Sequence, residues 1–388
     1  MAIGTHTAIA RSDVVGSLLR PAYLKEARQA VHEGRMTDEQ LRPLEDRAVR
    51  EAIALQEAAG LDVITDGELR RQTWIVTVPL YHTSHYRAPI SGFSFVETEP
   101  GWMGLWKDSA GNPMTTAPVI SRPLMTAPLR VERDIVGEEY AFLKAHARVR
   151  TKYTFPAPSW HRVFWHPVHS RDAYPTPEDL LIAVRDYIRE HVVGRLRELG
   201  CDYIQLDAPN YAQWHIDPSV RAAIEAEGRD LDAELAADAE IDNSVFEGIH
   251  GITRAIHICR GNGTGGRWFA RGGYDRIAAR LFPRLTNYDR LLLEYDSERA
   301  GDFTPLRHVL PQHQVVLGLI TTKRGTLENE ETIMRRIREA AQFVPMERLA
   351  LSPQCGFSSG EGGNPITPAD QEAKLRLLVR VARAVWGA

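Results

Sequence analysis

The chain has 388 residues, of which 43% are hydrophobic and 25% charged, and its formal net charge is −4. That composition suits a soluble globular protein with a sizeable core, and the interspersed charges argue against the basic face that nucleic acid requires. No apolar run reaches membrane-spanning length and "MAIGTHTAIARSD" lacks a signal-peptide core, so a cytoplasmic protein without membrane or nucleic-acid partners is expected.

In chain order, the first strand candidate is "DVVGS", near residue 15. A helix follows in "TDEQLRPLEDRAVREAIALQEAAG", with the capping pattern Thr37-x-x-Gln40, apolar residues at helical spacing and a stop at Gly60. "LDVITDGE" reads as a short buried strand. Residues 72–150, rich in Pro and aromatics as in "PGWMGLWKDSAGNPM", exceed a standard connection and predict an excursion over the mouth of the fold, holding a hairpin and a helix. "TKYTFPAP" is the next strand. The helix after it opens on Thr176-Pro177 and ends at Gly200, and "DYIQLDAP" follows as a strand. Residues 209–245 include the acidic helical stretch "RAAIEAEGRDLDAELAADAE", expected to present a solvated face. The strands "GITRAIHIC", "RLLLEYD", "QVVLGLI" and "RLALSPQ", with a last helix opening on Thr-Pro, complete the pattern. Eight strands alternating with helices predict an α/β protein, a single (β/α)8 TIM barrel over residues 1–388. An open doubly wound sheet would carry a Gly-rich phosphate turn after its first strand, and "VVGSLLRP" is not one.

Such a barrel collects its chemistry at the C-terminal ends of its strands. Those ends carry Asp66-Gly67-Glu68, Asp207, His257 with Cys259, Glu294 and, just past the eighth strand, Cys355. The three cysteines are too few for a disulfide framework, and Cys201, after Gly200, reads as core. Side chains two apart on a strand share a face, so His257 and Cys259 point together toward the axis while Ile256 and Ile258 pack outward. An imidazole, two thiols and the Glu294 carboxylate suit zinc better than magnesium or calcium. A core histidine beside a core thiol is the commoner reading of His-x-Cys taken alone; two of the three cysteines falling at strand ends on one rim bring the metal reading level with it. Glu68 and Asp207 are placed to hold an ammonium group, to move a proton, or to pair with an arginine. "GNGTGG" at 261–266 lacks the ending of a phosphate loop and reads as a hinge. Arg260, Arg267 and Arg271 are candidates for an anionic substrate group or for ordinary ion pairs. No Gly-x-Ser-x-Gly elbow is present. Two thiolates leave zinc a poor activator of water and suit it to holding a substrate thiol.

The motifs "DVVGSLLRP", "DVITDGELRR", "DYIQLDAPNYA", "HICRGN", "LLLEYD", "VVLGLITTKRGTLE" and "LALSPQCGF" stand in an order that resembles the catalytic barrel of the cobalamin-independent methionine synthases and their shorter relatives, over nearly the whole chain. The resemblance implies zinc held by His257, Cys259, Glu294 and Cys355, and a homocysteine gripped through its amino-acid part by Gly16, Ser17, Glu68 and Asp207. It implies methyl transfer from methyltetrahydrofolate or a related donor to the thiol, giving methionine. Three positions depart from the family pattern. Asp207-Ala208-Pro209 replaces Asp-Glu-Pro. Lys323, in "TTKRG", stands where the synthases have a proton-donating histidine and is expected to take that role. Trp160 is displaced from the tryptophan that stacks the pterin. The N-terminal half of the full-length synthases, which helps hold the folate tail, has no counterpart here, so folate, methylcorrinoid, S-methyl and epoxide donors all stay open. Two further readings follow. The epoxyalkane:coenzyme M transferases are similar in size and zinc motif, and the arginines with Lys323 suit a sulfonate. A metal-free barrel related to decarboxylases, or a small-molecule binder, would use His257 and Cys259 as core.

Overall fold

Short runs apolar at nearly every position become fully buried strands, because helices cover one face of the sheet and the barrel interior the other. The computed structural model describes residues 9–78, 88–100, 117–263 and 265–387. Its strands are β1 (Val63–Ile64), β2 (Ile90–Thr98), β3 (Ile120–Val131), β4 (Arg150–Thr151), β5 (Tyr153–Pro156), β6 (Tyr203–Asp207), β7 (Thr253–Ile258), β8 (Arg290–Glu294), β9 (Gln314–Ile320) and β10 (Leu349–Pro353). Six of them form a parallel sheet in the order β10-β9-β8-β7-β6-β5.

Both edges of this sheet are extended by the first two strand segments of the sequence. Ser12 bridges Leu351 of β10, with Asp13 N donating to Leu351 O at 2.9 Å. At the opposite edge β4 runs into β5 and pairs in parallel with β1, Val63 opposite Arg150. Between the first segment and β1 the joint is made differently. Asp62 Oδ2 accepts from Arg11 N at 2.6 Å and Ser12 N at 2.9 Å, and Leu18 N donates to Gly67 O at 3.0 Å. The eight segments thus follow one another around a common interior in sequence order, as an α/β barrel requires. Among the described residues the backbone ladder is interrupted at that one joint, where a carboxylate takes the place of a partner strand.

The interior has two layers. One is apolar and draws on nearly every segment: Val15, Val63, Tyr203, Ala255, Leu292, Val316 and Ala350. The other is polar, with Asp13, Lys152, Gln205 and Arg290 all buried. Outside, Ile256 and Ile258 join the main core between sheet and helices, which confirms the alternation read along that strand. The helices Asp38–Ala59, Pro177–Tyr187 and Pro368–Trp386 begin with capping boxes, Thr37 with Gln40, Thr176 with Asp179 and Thr367 with Asp370. Each such cap is worth about 1 kcal/mol.

The long connection after β1 holds an antiparallel hairpin, β2 with β3, and the helix Ile135–His146; the aromatic run at 101–116 lies outside the described residues. The acidic stretch forms the helices Pro218–Ala226 and Leu231–Ser244 and keeps the expected solvated face at Glu225, Glu227, Asp230, Asp232 and Glu240, whereas Asp238, and Asp242 just beyond the stretch, turn inward. Asp238 pairs with Arg162 at 2.6 Å, and Asp242 accepts from Ser159 Oγ at 2.6 Å and Tyr211 OH at 2.7 Å. Partners supplied by residues 158–164 and 210–215 make burial tolerable, and composition does not reveal partners so distant in sequence. No helix among the described residues is long and apolar enough to cross a membrane.

Candidate functional site

His257 lies near the end of β7, opposite Asp207 of β6 and Leu292 of β8, while Cys259 and Cys355 follow β7 and β10. The ligating atoms of His257, Cys259 and Cys355 all lie within 4.8 Å of one another, and all three residues are buried. His257 Nδ1 is 3.2 Å from Leu292 O. A carbonyl only accepts, so Nδ1 carries a proton and Nε2 is the nitrogen left to present a lone pair to an ion. Nε2 is buried with no hydrogen-bond partner. A partnerless imidazole nitrogen oriented by a backbone carbonyl and set beside two thiols is what a metal ligand requires, and one nitrogen with two sulfurs fits zinc. The hydrogen bond from Cys259 holds the Cys355 thiol well below the usual range against the cost of burial, with His257 and Lys323 adding to the effect. The same bond, with burial, pushes the Cys259 thiol up.

Glu294, the fourth expected ligand, ends β8 but stands outside this group of three. One carboxylate oxygen pairs with Arg299, and the other accepts from Arg260 N at 2.8 Å. Burial works against the charge, yet Arg299, Lys323 and Arg260 hold the carboxyl down to about 2. Arg299 is itself fixed over the Trp268 ring at 4.7 Å, with a hydrogen bond to Ala270 O at 3.2 Å. The three candidate anion-binding arginines separate. Arg260 is buried, donating to Glu294 O at 2.7 Å and Gly272 O at 2.8 Å, and serves the fold. Arg271 lies over Trp268 at 4.8 Å, and Arg267 is exposed at the pocket wall.

The thiols open onto a cavity of about 520 Å³ that Ser17, Glu68, Asp207, Trp160 and the hairpin residues Arg122 and Pro123 also line. Glu68 has φ 56, the one non-glycine positive value among the described residues. Its Oε1 accepts from Thr154 Oγ1 at 2.8 Å, and its Oε2 is buried without a partner. Arg71, 3.8 Å from Glu68, is matched by Glu139 at 2.8 Å, so the Glu68 charge is not consumed by a dedicated ion pair. Gly16 does not line the cavity; it makes room for Glu68, since a Cβ there would stand 2.3 Å from Glu68 Oε1. Ser17 is seated just as tightly, because a Cβ on Gly356 would lie 2.0 Å from its Oγ. Asp207 accepts from Gln205 Nε2 at 2.7 Å. Burial raises its carboxyl to about 7, with His257 opposing and Glu68 reinforcing the rise.

Lys323 is not part of the lining. Its ammonium donates to Asn262 Oδ1 at 2.8 Å and Arg267 O at 3.1 Å, one residue behind the wall that Asn262 forms. Trp160 does line the cavity, stacked on Trp214 at 6.1 Å and 19°. Asn262, Gln213, Trp74 and Ser359 were not singled out from the sequence; Asn262 stood unassigned in "HICRGN", and the others lie in loops or short helices without a periodic signal.

Comparison with known proteins gives a consistent picture. The family described as the cobalamin-independent synthase catalytic domain matches residues 11–221. The uncharacterized protein YxjH of Bacillus subtilis (strain 168) is 38% identical over 379 residues, covering 97% of this chain and 94% of that one. A crystal structure from Listeria monocytogenes, named "Putative Vitamin-B12 Independent Methionine Synthase", superposes with a TM-score of 0.71 at 28% identity, covering 99% and 100% of the two chains. A B12-independent methionine synthase from Shewanella sp. W3-18-1, in complex with selenomethionine, has a TM-score of 0.69 at 20% identity over 97% and 98%, a likeness of fold.

Proposed function

Since the chain belongs to the cobalamin-independent methionine synthase family, we propose that it is a zinc-dependent transferase that methylates the thiol of homocysteine to give methionine. The observation that carries this reading is the partnerless Nε2 of His257 beside Cys259 and Cys355, at a cavity that also presents two carboxylates. His257, Cys259 and Cys355 would hold the ion, with Glu294 completing the set on release from Arg299. What zinc supplies when bound is a lowered pKa for an incoming thiol, so that sulfur stays nucleophilic at neutral pH.

The remaining work falls to the chain. Glu68 Oε2 and Asp207 receive the substrate ammonium; Ser17 lines the wall beside them, and Gly16 leaves the room that Glu68 occupies. This charge pattern favours an aminothiol over a sulfonated one: two buried carboxylates next to the thiols attract an ammonium and repel a sulfonate. A coenzyme M alkylation is therefore the weaker reading. In the transfer, sulfur forms a bond to the methyl carbon while the bond from carbon to the donor breaks, its electron pair leaving on the donor atom. Lys323 is the proposed proton source for that atom, its ammonium leaving Asn262 to reach it. Trp160 offers a flat face for a heterocyclic donor such as methyltetrahydrofolate. We assign all of residues 1–388 to this one barrel domain, with Thr73–Ile75 and the β3 residues Arg122 and Pro123 of the 72–150 connection at the site, in a cytoplasmic enzyme whose partners are small molecules.

The test is metal analysis followed by thiol consumption. Purified protein is expected to hold one zinc per chain, lost in Cys355→Ala with the fold retained, and to consume homocysteine but not coenzyme M against a panel of methyl donors. Metal-free protein of undiminished stability, or turnover of coenzyme M alone, contradicts the proposal.

A further inference from the structure

We propose that Gln205 is a positioning residue for Asp207, fixing, with Lys152 behind it, the carboxylate that receives the substrate ammonium; this rests on the aminothiol reading above. Lys152 is fully buried inside the barrel, where its ammonium donates to Asp13 Oδ1 at 2.7 Å, to Val14 O, and to Gln205 Oε1 at 2.7 Å. An ammonium has hydrogens to give and nothing to accept with, so the oxygen of the Gln205 amide must face it. That fixes the amide the other way as well. Its nitrogen donates to Val15 O at 2.9 Å and to Asp207 Oδ1 at 2.7 Å.

Every hydrogen-bonding atom of the Gln205 side chain is therefore used, and none can be exchanged for water, because the residue is fully buried. At its far end the network is closed by Tyr203 OH at 2.6 Å and Arg290 at 2.9 Å, both on Asp13 Oδ2. Its one end in the cavity is Asp207. Strand alternation explains the alignment, since Gln205 and Asp207 are two apart on β6 and share the inward face. With Oδ1 pinned, Asp207 cannot turn freely, and Oδ2 is left for a ligand. Lys152 contributes through charge as well as orientation, for its ammonium and the Asp207 carboxylate act on one another across the amide.

The experiment compares two thiols that differ only in the amino group, homocysteine and 4-mercaptobutanoate, titrated calorimetrically into zinc-loaded protein. Gln205→Met keeps the chain length and removes the amide. Gln205→Asn keeps an amide for Lys152 but falls one carbon short of Asp207, and it carries the test should the methionine variant fail to fold. Both variants are expected to weaken homocysteine about tenfold, the effect of one charge-assisted hydrogen bond, and to leave 4-mercaptobutanoate within about twofold. Equal weakening of both thiols shows a merely structural role and overturns the proposal, as does no change in either. Asp207→Asn is run in parallel. If it selectively loses homocysteine while the Gln205 variants do not, the positioning role falls and the ammonium site stands; if Asp207→Asn changes nothing, both fall.

Discussion

Replacing Arg299 with methionine is expected to tighten zinc binding, although it removes a residue beside the site. Both oxygens of the Glu294 carboxylate are engaged, one by Arg299 and the other by Arg260 N at 2.8 Å. To join His257, Cys259 and Cys355, Glu294 has to give up the arginine. A hydrogen bond between charged partners is worth about 1.5–3 kcal/mol, and at about 1.4 kcal/mol per decade that is roughly ten- to a hundredfold in affinity. Losing a cation near a divalent ion works in the same direction, so the single variant does not separate the two effects. The cycle with Glu294→Gln does, because only the general repulsion survives in that background. The assay is competition for zinc against a chromophoric chelator at fixed pH and ionic strength, and it needs no turnover. A larger gain from Arg299→Met in the parent than in the Glu294→Gln background marks the exchange; weaker zinc binding in Arg299→Met, or an equal gain in both backgrounds, refutes it.

Two smaller perturbations probe the carboxylate side. Gly16→Ala places a Cβ where Glu68 Oε1 now lies, at 2.3 Å, and is expected to raise the Kd for homocysteine while leaving zinc content and melting temperature nearly unchanged; unaltered affinity would show that Glu68 holds no substrate. Asp66 is buried with one partnerless oxygen, and burial, with Glu139, raises its carboxyl to about 6 from an ordinary 3.8. A carboxyl raised in the folded state favours folding most below its unfolded pKa, and that advantage is lost as pH rises through the folded value. Asp66→Asn keeps an oxygen for Glu68 N, which Asp66 Oδ1 now accepts at 2.9 Å, and removes the charge. It is therefore expected to be more stable than the parent by about 2–3 kcal/mol at pH 8, with almost no difference near pH 3. Denaturant melts at the two pH values check this, and a gain that persists at pH 3 contradicts it.

What the sequence discloses follows from the range of the interactions involved. Capping boxes at Thr37, Thr176 and Thr367 close within three residues, and the pairing of His257 with Cys259 within two, so both can be read locally. The meeting of Cys355 with that pair depends on strand order around the sheet and needed the eight-strand pattern as an intermediate. Arg299 lies only five residues past Glu294, yet its hold on the carboxylate depends on a loop conformation that no periodicity encodes. The displacement of Lys323 behind Asn262 is likewise set by residues 61 apart in the chain. Asp238 and Asp242 show the same limit from the other side: acidic composition suggested solvent, and distant Arg162, Ser159 and Tyr211 decided otherwise.

The polar layer inside the barrel makes physical sense of the ligand site above it. A carboxylate as buried as Asp207 is costly to ionise; burial raises it to about 7, with His257 and the Gln205 amide opposing the rise. Lys152 and Arg290 bring two positive charges into the interior, and Asp13 balances only one of them. The surplus positive charge sits one amide away from Asp207. An apolar filling of the same volume would pack as well and stabilise the fold at least as much, but it would release the Gln205 amide that pins Asp207 Oδ1. Lys152→Met probes this role: it leaves Asp13 Oδ1 and Gln205 Oε1 buried without a donor and is expected to lower stability by about 3–5 kcal/mol, whereas in the folded variant homocysteine binding weakens with 4-mercaptobutanoate binding intact. Should the variant bind both thiols as the parent does, the polar layer is a structural feature of the barrel and no part of substrate recognition.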